Sequence, residues 1–220
     1  MVACKNWLDG FIAGVLMLAP LCLGARAEII DRIAATVGKQ VITESQVTEE
    51  IRVTAFLDDK PADWSDANRT RTLNRLVDQA LIRREIEATR FQEAPIEEGN
   101  QLLVQLKEAR QGVDVALTAS HLPEALVAKH LQWQVTFLRF VDYRFKPSVE
   151  VTESDLKDYY TSQSEEWKKE NKPVPAFEDV RDDLEKLLTA KYVDQALDRW
   201  LGDQRTQTSI VFKTVKGRKP

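Results

Sequence analysis

The chain has 220 residues, of which 43% are hydrophobic and 30% charged, with eight glycines and eight prolines. That balance is too apolar for a disordered chain and too poor in glycine for a fibrous one, and the length suits a single domain with a sizeable core. The net charge of −4, with no basic cluster beyond the short run Lys216 to Lys219, argues against nucleic acid as a partner.

The first 27 residues have the order of a secretory leader. Lys5 lies near the start, an apolar run follows from Phe11 to Leu23, and Ala25-Arg26-Ala27 places small residues around a cut. The run is shorter than the ~20 residues a helix needs to cross a bilayer. Asp9 ahead of the run is atypical of such leaders, and an uncleaved anchor is the alternative. Cleavage near Ala27 predicts a periplasmic or otherwise secreted protein with no stable membrane insertion afterwards. It removes Lys5, Arg26 and Asp9, two basic residues and one acidic, which takes the net charge from −4 to −5. It also removes Cys4 and Cys22, the two cysteines of the chain, so the mature protein has neither a disulfide nor thiol chemistry.

Beyond the leader, Ile29 to Val37 and Val41-Ile42 flank Gly38-Lys39-Gln40, the pattern of a β-hairpin. Thr43 and Gln46 have capping-box spacing, which starts a first helix at Glu44 and lets it run to about Asp58, before Pro61. A second helix is expected from about Asp66 to Arg90, with Leu73, Leu76, Val77, Ala80, Leu81 and Ile86 on one stripe and Ile82 beside it. A third begins near Ile96, turns Leu102, Leu103 and Leu106 inward, and ends by Gly112. A fourth opens at Pro123 and reaches about Phe145. It carries two apolar stripes, Leu131, Val135, Leu138 and Val141, then Trp133, Phe137 and Phe140, so it is either buried all round or presents an open apolar face.

Lys146-Pro147 ends that helix, Ser148 to Val151 reads as extended, and Thr152 with Asp155 caps a fifth helix through Trp167. Residues 168–176 form a polar linker with Pro173 and Pro175. The last helix is expected from about Glu178 to Arg205, with Val180, Leu184, Leu187, Leu188, Tyr192, Ala196 and Trp200 on one face. Thr208 to Phe212 alternates like a strand, and a lone strand edge is unfavourable in water. Its nearest available partner is the N-terminal hairpin, so both ends of the mature chain meet in one small sheet. The expected architecture is mainly α, a helical bundle with a small sheet built from the N-terminal hairpin and the C-terminal strand. Residues 28–213 form one domain, divided into 28–167, the linker and 177–213, and residues 214–220 form a disordered tail.

Little in the sequence carries chemistry. His121 and His130 are nine apart, which is not ligand spacing on one helical face, and phosphate-cradling glycine loops and HExxH or CxxC motifs are missing. Ser120 beside His121 is adjacency in sequence alone, and Glu97-Glu98 and Asp182-Asp183 fall on polar helix faces. Asn68-Arg69-Thr70 matches a glycosylation sequon of low specificity. No metal ligand, cofactor or catalytic residue is predicted.

Ile29 to Val47 (IIDRIAATVGKQVITESQV) resembles the opening of SurA-like chaperones and related secreted parvulin-type foldases, and Leu73 to Glu85 (LNRLVDQALIRRE) resembles their second helix. Arg144-Phe145 with Val149 to Tyr160 (VEVTESDLKDYY) is similar to the segment preceding the isomerase domain, and Phe177 to Ile210 to the helix and strand that follow it. Only the linker around Trp167 to Phe177 separates those last two segments, where catalytic relatives carry a whole parvulin domain, so the chain resembles the chaperone module without its isomerase. The resemblance implies an ATP-independent holding chaperone for unfolded or outer-membrane-bound polypeptides. Trp133, Phe137, Phe140 and Tyr143 are the candidate client-binding residues, with filling of the core as the other role open to them. Two further functions compete: an adaptor docking one fixed partner, and a peptidyl-prolyl isomerase acting without the usual domain.

Overall fold

The computed structural model describes residues 31–213. The expected leader, 1–27, and the expected tail, 214–220, lie outside the described residues. The hairpin forms as read: β1 (Ile33–Val37) and β2 (Gln40–Thr43) pair antiparallel, with Ala35 opposite Ile42 and Val37 opposite Gln40. Gly38 makes the turn at φ +59°, a backbone angle that costs a residue without Cβ little. β3 (Ile210–Phe212) pairs with the free side of β1, Ala35 facing Phe212 and Val37 facing Ile210, so the strand order is β2-β1-β3. Two further bonds seal this closure. The Gly38 amide donates to the Ser209 carbonyl and the Lys213 amide to the Ala34 carbonyl, both at 2.8 Å.

Seven helices follow the hairpin, α1 (Glu44–Leu57), α2 (Asp66–Thr89), α3 (Ile96–Ala109), α4 (Val113–Ala119), α5 (Glu124–Phe145), α6 (Glu153–Lys169) and α7 (Phe177–Gln207). Both predicted capping boxes form. The Gln46 amide donates to the Thr43 hydroxyl while the Gln46 side chain accepts from the Thr43 amide, and Thr152 and Asp155 repeat the arrangement at α6. Among the described residues no helix is long and apolar enough to cross a membrane.

Three differences from the sequence reading have local causes. α4 falls where no helix was expected; it is only seven residues long and enters through Gly112 at φ +77° with no side-chain cap, so neither period nor cap announces it. Its Val113 and Leu117, one turn apart, are its buried contribution. Lys146–Ser148 forms a short 3-10 turn, so the extended stretch begins after Ser148. In α7 the buried residues are Leu184, Leu188, Val193 and Leu197, while Leu187 is exposed. This helix of about 46 Å meets α6 along its first half and α2 and α5 along its second, so its buried stripe changes side with the partner.

The core is divided along the molecule. The sheet packs on α1 and α2 through Ala34, Ala35, Ile42, Val47, Val77 and Leu81. The second half of α1 packs with α3, α4 and α5 around Phe56, Leu103, Leu117 and Val127. Ile82, Ile86, Trp133, Phe140, Phe145 and Leu197 join α2, α5 and α7, and Leu156, Leu184 and Leu188 join α6 to α7. Polar ties fix the positions. Arg205 of α7 bonds the Asp78 carboxylate at 2.7 Å and the Asn74 carbonyl at 3.1 Å on α2. On α5, the Thr136 hydroxyl accepts from the Ala94 amide at 3.0 Å and the Gln132 side chain donates to the Ala94 carbonyl at 2.6 Å, which pins α5 to the segment entering α3.

α3 and α5 approach so closely that a Cβ placed on Gly99 would overlap the Ala128 carbonyl oxygen. Gly99→Ala is therefore expected to lower stability by about 2–3 kcal/mol through overpacking. Gly202 lies in α7 with nothing near the position of its absent Cβ, and Gly202→Ala should raise stability by about 0.5–1 kcal/mol. Denaturant midpoints of the two variants moving in opposite directions would bear this out, and equal shifts would contradict the close α3–α5 approach.

Candidate functional site

The four aromatic candidates of α5 do not share a face. Phe140 is completely buried, its ring 5.5 Å from Phe91 in an edge-on contact. It belongs to the core and is withdrawn from the client-binding set. Tyr143 is 64% exposed and leans on Phe91 at 5.2 Å, away from the other candidates. Trp133 is 7% exposed and Phe137 half-buried, their rings 6.3 Å apart. The expected single aromatic surface fails because α5 is wrapped by α3 on one side and by α2 and α7 on another, so aromatic residues on successive turns meet different neighbours.

Trp133 and Phe137 do share a cavity. A space of about 300 Å³ opens between α1, α2, α5 and α7, walled by these two rings with Ile82, Leu197 and Leu201. A void of roughly 150 Å³ already accommodates benzene, so there is room for one or two aromatic side chains.

One end of the cavity is polar, and it is built by residues that the sequence reading did not select. Glu50 of α1 is buried, with one carboxylate oxygen 3.3 Å from Nδ1 of His130 on α5. The other oxygen lies 3.2 Å from Nε of Arg75 and accepts from the Gln79 side chain at 3.4 Å, both on α2. Three helices are thus strutted apart through one carboxylate. Burial pushes the Glu50 carboxyl up, but the hydrogen bond and charge of His130, helped by Arg75 and Gln79, outweigh it and hold the group below the ordinary glutamate value. The other ring nitrogen of His130 faces the Gln134 amide at 3.2 Å.

Trp133 is fixed from its other side. The Arg83 guanidinium lies 3.5 Å from the centre of its ring, a cation–π contact in a half-buried setting. Arg83 lines a second cavity of about 370 Å³, and the two spaces share Glu50, Gln79, His130 and Trp133 as a common wall. The signal for Glu50 and His130 in the sequence was faint: a carboxylate between Val47 and Ile51, and an imidazole between Val127 and Leu131, each on an otherwise apolar stripe.

Among the described residues no group of three His, Cys, Asp or Glu side chains is placed to hold a metal ion. His121 stands apart from His130, its Nδ1 3.2 Å from the Ala119 carbonyl. No known protein family and no curated protein matches the chain.

A carboxylate held below its unfolded pKa contributes stability above that unfolded value and loses it as the pH falls through the folded one. Glu50→Gln should therefore cost about 2 kcal/mol at neutral pH and flatten the loss of stability as the pH falls through and below the ordinary glutamate range. Denaturation across that range checks it; parallel curves for the two proteins would mean that the carboxylate is not held by His130 and Arg75.

Proposed function

We propose that this protein is an exported, ATP-independent holding chaperone that takes exposed apolar segments of unfolded or outer-membrane-bound polypeptides. The observation that carries the reading is the open Trp133–Phe137 cavity, apolar along its walls and propped by the Glu50 strut, in a helical body whose first and last strands share a sheet. That arrangement is in keeping with the resemblance to SurA-like chaperones. Binding would be weak and repeated. One client side chain buried in the cavity gains at most about 1.5–3 kcal/mol, and ordering of the client removes much of that. Release is then spontaneous, as a holdase without nucleotide requires. The reading assigns no catalytic step.

Light scattering from a denatured client diluted into the mature protein tests the reading. Suppression of aggregation without nucleotide is expected, weakened by Phe137→Ala with the fold retained. Phe140→Ala, by contrast, should cost about 3–5 kcal/mol of stability, because it empties the core. Undiminished aggregation in the presence of excess folded protein, or clear prolyl-isomerase turnover, would overturn the assignment.

A further inference from the structure

Apart from the Trp133 cavity, an open groove of about 800 Å³ lies between α5 and α7. α5 presents Leu138 and Val141 to it, and α7 presents Val193. Leu138 is 64% exposed there, an apolar side chain left at the mouth of a groove whose floor is Val141 and Val193, both buried. The α7 side runs from Asp182 to Asp194, about 18 Å or some three helical turns.

The rim is acidic. Asp142 of α5 and Asp194 of α7 line it, and neither has an ion partner among the described residues. Asp182 and Glu185 also line it, but they share one cation: Arg181 lies 3.6 Å and 3.4 Å from them and is also claimed by Glu153 at 3.1 Å. Of the two lysines on the rim, Lys186 is held by Asp183 at 3.0 Å, which leaves Lys146, one turn along from Asp142, as the other cation for the remaining carboxylates. A short apolar floor of Val141, Ala190 and Val193, with Leu138 at its mouth and the unpaired carboxylates of Asp142 and Asp194 beside it, is complementary to one or two turns of a helix with one apolar face and lysines or arginines along its flanks.

We propose that the α5–α7 groove docks a cationic, amphipathic helical segment of a client polypeptide, so that the client class of this chaperone is defined by positive charge beside apolar surface. The inference rests on the chaperone reading for the source of the segment, while the groove's preference for charge can be measured separately. The same rim repels an anionic lipid surface.

The test uses two fluorescein-labelled model peptides of equal length, one of leucine and lysine and one of leucine and glutamate, titrated with the mature protein and followed by anisotropy. Several rim charges acting together should make the lysine peptide bind about tenfold more tightly at low salt, with the advantage shrinking as salt rises. The double charge reversal Asp142→Lys with Asp194→Lys should abolish or invert that preference. Leu138→Ser should weaken the lysine peptide, and circular dichroism should show the fold intact, since all three side chains are exposed. Equal binding of both peptides, or indifference to the charge reversal, overturns the proposal. So does self-association in sedimentation that Leu138→Ser removes, because a second copy would then occupy the groove. Suppression of client aggregation that persists through such a failure leaves the holding activity standing. Lysine-peptide binding without any suppression removes the holding activity and leaves the groove.

Discussion

Among the described residues, β1 is the strand with a partner on both sides, and the arrangement of the helices follows from that. β2 is held to it by a tight turn, a local event. β3 comes from the other end of the described chain, and pairing it with β1 closes a loop of more than 170 residues, at an entropic cost that grows only slowly with length. Once β3 is seated, the end of α7 lies against α2, where Arg205 locks it to Asp78 and Asn74. That places Leu197 and Leu201 opposite Ile82 and Phe137. The cavity thus depends on a contact between the two ends of the domain as well as on the helices that line it.

The Glu50 network determines whether that space stays open. A cavity lined only by leucine and isoleucine would gain by collapse, since each lost void restores dispersion contacts. A buried carboxylate bonded to His130 on one helix and to Arg75 and Gln79 on another resists collapse, because moving any of these helices strands a charge. The strut adds little net stability over an apolar core and chiefly fixes geometry. Trp133, clamped between Arg83 and the cavity, is held in the same way.

Much of the fold was legible in the sequence wherever a local signal existed. The caps Thr43/Gln46 and Thr152/Asp155, the stripe of α2, and the isolated alternation after Thr208 each have one structural solution, and the sheet follows from the last of these. α4 was not legible, because seven residues without a cap carry neither period nor boundary. The candidate site was less legible than the fold. Apolar residues surround most of α5, so the pattern alone could not separate the buried Phe140 from the exposed Tyr143 or the half-open Phe137; that distinction belongs to α2, α3 and α7. Glu50 and His130 lie 80 residues apart, and nothing local shows that each completes the other. The uneven charge along the α5–α7 rim likewise emerges only when Asp142 and Asp194 are brought to one groove.

The most direct measurement of this account is site-resolved amide hydrogen exchange on the mature protein. The amides of Gly38 and Lys213, which donate to Ser209 and Ala34 across the closure, should be strongly protected and should exchange together with the α7 amides around Leu197. Exchange of Gly38 and Lys213 at unprotected rates, while α7 stays protected, would show that the ends do not hold the cavity together.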